Sequence, residues 1–162
     1  MAKSPTSPAR KAQQLARSAA RLAAVQALYQ IELTGNDWRR VVREFDQHRL
    51  GAEIEGVQYR EADPGHFKEI VEGVVTNQVD IDHLTDRALV ERWPLGRIDS
   101  TLRAVFRAAG QEISSRQDIP IKVIIGEYVD VAKAFFEEGK EAKFVNAVLD
   151  HMAREVRPEA FG

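Results

Sequence analysis

The run Ile119-Pro120-Ile121-Lys122-Val123-Ile124-Ile125-Gly126-Glu127-Tyr128-Val129-Asp130-Val131-Ala132-Lys133-Ala134-Phe135-Phe136 is followed, after a charged break, by Lys143-Phe144-Val145-Asn146-Ala147-Val148-Leu149-Asp150. Ile121, Ile125, Tyr128, Ala132 and Phe135 recur at helical spacing, and Val145, Val148, Leu149, Met152 and Val156 form a second apolar stripe. Together they predict a helical hairpin. Lys143, Asn146, Asp150 and Arg154 fall at steps of three and four, on a flank of the last helix that the apolar stripe leaves open. A strand at Ile121 to Ile125 would have nothing to pair with, because no other segment alternates with period two.

Working outward, 162 residues at 44% hydrophobic content suffice for one well-buried core and are short for two. The absence of cysteine excludes disulfides, thiolate catalysis and cysteine-ligated zinc, and suits a reducing cytoplasm. No apolar run approaches the roughly 20 residues that span a bilayer, so no membrane partner is expected. Residues 1–8 read as a disordered tail without a secretory signal, 9–157 as a single helical domain, and 158–162 as a second tail. The net charge of -2 is unevenly spread. Lys3, Arg10, Lys11, Arg17 and Arg21 all precede the first acidic residue, Glu32, leaving the remainder at -7. Such an asymmetry fits a polyanion-binding arm on an acidic body, and equally a basic tail that aids solubility.

The first helix is expected from Pro8 to about Leu33, closed by Gly35-Asn36. Leu15, Ala19, Leu22, Val25 or Gln26, and Tyr29 make its buried stripe, while Arg10, Gln14, Arg17 and Arg21 line another face, where guanidinium groups can meet a phosphate backbone. Asp37 caps a second helix to about His48, carrying Trp38, Val41, Val42 and Phe45 inward. Residues 49–63 read as a long loop. Pro64 opens a third helix, Ile81 to Leu89 forms a fourth, and Ile98 to Ser114 a fifth with the stripe Leu102, Val105, Phe106, Ala109 and Ile113. The fold class is all-α, with about seven helices.

Catalytic machinery is not apparent. His48, His66, His83 and His151 form no His-x-x-x-His pair, and Asp80-Ile81-Asp82-His83 reads as charges near a helix start, so no metal or other cofactor is expected. Gly51 and Gly56 are five apart, but Val57 and Gln58 stand where a phosphate-binding loop requires Lys and Ser or Thr. No serine occupies a nucleophile elbow. The chain reads as a binding protein and not as an enzyme.

The order Pro120, Glu127, Ala132-Lys133, Phe135 and Phe144 to Asp150 resembles the carboxy-terminal signature of the NusB family of bacterial transcription antitermination factors. The likeness continues upstream through Arg97-Ile98-Asp99, Leu102-Arg103-Ala104, Arg107-Ala108 and Glu112-Ile113 to Ala24-Val25-Gln26-Ala27-Leu28-Tyr29, and covers Arg17 to Arg157. It implies two small helical bundles sharing a long first helix. It also implies binding of boxA-type RNA jointly with the small-subunit ribosomal protein NusE, within an RNA polymerase antitermination complex that supports ribosomal RNA synthesis. On this resemblance Arg17, Arg21, Tyr29, Phe144 and Asn146 match RNA-binding positions, joined by Arg10, Gln14 and Lys143 on the two polar flanks. Arg103, Arg107 and Glu112 match the partner-facing helix, although a salt-bridged exposed face would look the same. Two departures stand out: residues 137–142 lack the Asp/Ser-rich turn of many members, and Ala147 replaces a frequent glycine. Two other readings remain open: the RNA-binding part of a ribosomal RNA cytosine methyltransferase, which needs a further methyl-donor domain, and a helical protein-interaction module or homodimer without RNA.

Overall fold

The computed structural model describes residues 7–48, 53–54, 57–58, 62–89, 98–137 and 139–161. α1 (Pro8–Thr34) begins where the Ser7 hydroxyl accepts the Arg10 amide at 3.1 Å and Pro8 takes the first turn, whose amide would be unpaired anyway. It ends at Gly35, whose φ of 68° is a left-handed conformation that an L side chain resists. Residues 8–15 are exposed throughout, so the first two turns project from the body. Beyond them Ala20, Ala23, Ala24 and Ala27 are buried, and these small side chains let α3, α4 and α5 approach closely.

Asp37 accepts the Arg39 amide and caps α2 (Trp38–His48), as expected. Of the stretch read as a loop, the described residues form a two-residue antiparallel pairing, β1 (Glu53–Ile54) with β2 (Val57–Gln58), a local ladder that the period-two test was too coarse to detect. The rest of residues 49–61 lies outside the described residues. Asp63 caps α3 (Pro64–Ala88) through the His66 amide at 3.0 Å. The expected third and fourth helices are this one element, broken only at Asn77, where φ of -113° and ψ of 16° kink the axis. Asn77 donates to the Gln111 side chain at 3.3 Å. With that merger the described residues form six α-helices, where about seven were expected.

Asp99 caps α4 (Ser100–Ser115), which is surrounded by α1, α3, α5 and α6 and buried along most of its length. Gly110 permits a close approach to Ile81 and Met152. A Cβ there would stand 2.7 Å from Ile81 Cγ2 and 3.1 Å from Met152 Cε. The hairpin consists of α5 (Ile121–Phe135) and α6 (Gly139–Val156); α6 starts one turn earlier than its apolar stripe suggested, which shortens the charged break. Pro158–Phe161, expected as a tail, form a 3-10 turn that packs Phe161 under the Arg154 guanidinium at 4.3 Å. The buried Arg157 guanidinium donates to the carbonyls of Ile113 (2.8 Å), Ile119 (2.9 Å), Glu112 (3.2 Å) and Arg116 (2.5 Å), at the carboxy end of α4 and in the turn after it.

Candidate nucleic-acid interface

The polar face of α1 divides at its third arginine. Arg10 and Gln14 are exposed on the projecting turns, and Arg17 is half-buried, with its Nε lacking a hydrogen-bond partner within the protein. Arg21, expected on the same ridge, is instead only 2% exposed. Its Nε and Nη2 donate to Glu112 at 2.9 and 3.1 Å, and its Nη1 lies 3.3 Å from Glu127. Arg10 and Arg21 are eleven residues apart, about three whole turns, so both face the same way. What differs is position along the axis, because α4 and α5 cover this face once α1 enters the body.

Glu112 is likewise corrected, from a partner contact to a buried carboxylate only 1% exposed. The Tyr128 hydroxyl donates to it, Arg21 donates twice, and His66 Nε2 lies 3.0 Å away. Burial alone would raise this carboxyl, but His66, Arg21 and Tyr128 together hold it at about 2. His66 Nδ1 faces Arg116 Nη1 at 3.4 Å. The cluster joins α1, α3, α4 and α5. Ser18 extends it to the surface by donating to both Glu127 oxygens at 2.9 Å.

A sequence signal for both corrections exists. Arg21 stands four before Val25 and seven before Leu28, and Glu112 stands seven after Val105, so each occupies a buried stripe of its own helix. No comparable signal marks Ser18 or Glu127.

Arg103 and Arg107 are half-buried in a ladder of ion pairs. Arg103 grips Glu32 and also donates to the Ile98 carbonyl at 2.9 Å, while Arg107 bonds Asp82 through two donors at 3.0 Å and Glu32 at 3.1 Å. Sequence reading did not anticipate Glu32 or Asp82. Tyr29, 37% exposed, borders a groove of about 470 Å³ with Gln26, Leu33, Thr34, Thr101 and Phe135. Phe135 closes α5 just before α6 begins. There Lys143 and Asn146 are exposed, and Phe144 is half-buried, edge-on to Phe106 at 5.8 Å.

Residues 18–154 match the model of the NusB family. This chain belongs to that family. It is 54% identical over 144 residues to the transcription antitermination protein NusB of Agrobacterium fabrum, covering 89% of this chain and 87% of the relative. It is 52% identical over 146 residues to that of Mesorhizobium japonicum, covering 90% and 94%. Among solved structures, T. maritima NusB superposes with a TM-score of 0.72 at 30% identity, covering 90% of this chain and 96% of that one. A chain from a complex of antitermination factors NusB and NusE with dsRNA superposes with a TM-score of 0.70 at 21% identity, covering 86% and 96%, a likeness of fold. Against the NusB family pattern, Ala147 is exposed on α6, where its methyl group displaces no core packing.

Proposed function

We propose that this NusB family member is an RNA-binding antitermination factor that takes boxA-type RNA jointly with the NusE ribosomal protein and supports transcription of ribosomal RNA. The observation that carries this reading is the exposed part of the α1 ridge. Arg10, Gln14 and Arg17 offer donors that no carboxylate has taken, whereas Arg21, Arg103, Arg107 and Arg116 are all ion-paired. Guanidinium groups on one helix face neutralise successive phosphates and stack on exposed bases, the usual grip on single-stranded RNA. The Tyr29 groove supplies an aromatic wall for a base, and Lys143, Phe144 and Asn146 provide a cation, a ring and an amide at the start of α6. Arg103 and Arg107 form the partner-facing ladder.

The ridge is small and the body acidic, so the protein alone binds RNA modestly and a basic partner extends the positive track. Coupling of this kind is typically about five- to 150-fold in affinity, and linkage requires RNA to tighten the protein pair by the same factor. Calorimetry on all four edges of the cycle tests it, using a boxA-like RNA, a scrambled strand and a duplex. Equal RNA affinity with and without NusE overturns joint recognition.

A further inference from the structure

A second basic surface lies away from the α1 ridge. α2 and the first half of α3 enclose a groove of about 590 Å³, with Phe67 buried at its base, Trp38 and Val42 half-exposed along its wall, and Arg39, Arg43 and Lys68 exposed at its rim. The Arg39 guanidinium lies over the Trp38 ring, its Cζ 4.7 Å from the ring centroid, a cation–π contact. We propose that this groove is a second RNA anchor, which continues the strand from the α1 ridge by stacking a base on the Trp38–Arg39 pair and holding flanking phosphates with Arg43 and Lys68. The proposal rests on the RNA-binding reading of that ridge.

Three observations support it. First, Arg43 and Lys68 of the rim form no ion pair among the described residues. Helical spacing would allow Arg43 to pair with Asp46 and Lys68 with Glu72, yet neither pair forms, while Arg40 on the same helix is bonded to Glu44 at 3.1 Å. Second, the groove adjoins the ridge. The Asp63 amide donates to the Ala16 carbonyl at 3.0 Å, placing the first turn of α3 beside Arg17, and Pro64 and Gly65 of that turn line the groove. A Cβ on Gly65 would meet only Asp63 Oδ1, at 3.4 Å, so the turn leaves space for a strand to cross. Third, the chemistry is mixed in the way a nucleotide needs. Flat apolar and guanidinium surfaces take a base, exposed cations take phosphates, and Asp46 and Glu72 can accept from the amino groups of base edges.

The test is a titration with a labelled core boxA-like RNA and with versions extended by about six nucleotides at one end or the other, a length within the usual span of a single-strand site. One extension should tighten binding by on the order of fivefold or more, the low end of a base–aromatic stack, and steepen the salt dependence by about 0.7 per added phosphate contact. Arg39→Gln combined with Arg43→Gln should bind that extended RNA no more tightly than the core strand, and Arg39→Lys with Arg43→Lys should restore the salt dependence without the full stacking gain. If the core RNA binds and neither extension matters, the second anchor is wrong and the ridge stands. If neither RNA binds at any salt, both fall. If RNA binding is indifferent to the glutamine pair while NusE binding weakens, the groove belongs to a protein and the proposal is overturned.

Discussion

Arg17 and Arg21 stand one turn apart on one helix, one open toward solvent and the other sealed against Glu112. At Arg21 the guanidinium has lost its water, and its charge is tolerable only because a carboxylate, itself stripped of water, lies 2.9 Å away. Arg17 is half-buried but has no ion pair among the described residues, so its charge remains available to a third party. A cation becomes structural or functional according to what covers it, and α1 changes from one condition to the other as it passes under α4 and α5.

The sharpest way to break this contrast is to remove the buried partner. Glu112→Gln leaves Arg21 charged in the interior with only the partly exposed Glu127, 3.3 Å away, as counter-charge, and should cost about 3–5 kcal/mol in chemical denaturation. Arg21→Met combined with Glu112→Leu should recover much of that loss, since a buried pair replaced by apolar groups is often neutral. Recovery absent from the double variant would mean that the pair itself stabilises the fold and does not merely tolerate burial.

The same carboxylate predicts an acid limb of comparable size. Its folded value of about 2 lies below the ordinary 4.5, so its contribution is fully present above pH 4.5 and disappears as the pH falls from there toward 2. The depression corresponds to on the order of 3 kcal/mol. Stability measured against pH should fall through that window in the native protein and remain flatter in Glu112→Gln. Crowding the neighbouring seam should cost less: Gly110→Ala forces its methyl group against Ile81 and Met152, for about 1–3 kcal/mol by thermal or chemical unfolding.

On the open side, Arg10→Ala with Arg17→Ala should change stability by less than about 0.5 kcal/mol. The log-log salt dependence of RNA binding should nevertheless flatten by about 1.4, two phosphate contacts on a single strand. A flattened salt slope with an intact fold separates the two halves of α1. An unchanged slope would make the exposed ridge an ordinary solvated face.

Much of the architecture was legible because apolar periodicity and capping residues are local signals. Ser7, Asp37, Asp63 and Asp99 each begin a helix; the α4 stripe is buried throughout, and the α5 and α6 stripes are buried except at their last members, Phe135, 37% exposed, and Val156, half-buried. The continuity of α3 was less legible, since a kink at Asn77 and a loop produce similar interruptions of the stripe. The division of the arginine ridge depends on where other helices lie over α1. Its angular periodicity was right, but burial along the axis is a tertiary property that no window on α1 contains. Charged residues on apolar stripes, Arg21 and Glu112, carried the available warning.

Arg157 adds a consequence in time. Its one side chain satisfies four carbonyls between Glu112 and Ile119, thereby fixing the corner that orients α4 toward α5. During synthesis, at roughly 5–20 residues per second, that corner must wait for a residue made well after both helices it joins. Until Arg157 has emerged, the nascent protein holds a hydrophobic interior with an unfastened edge, and the corner between α4 and α5 is fixed only after α6 has been made.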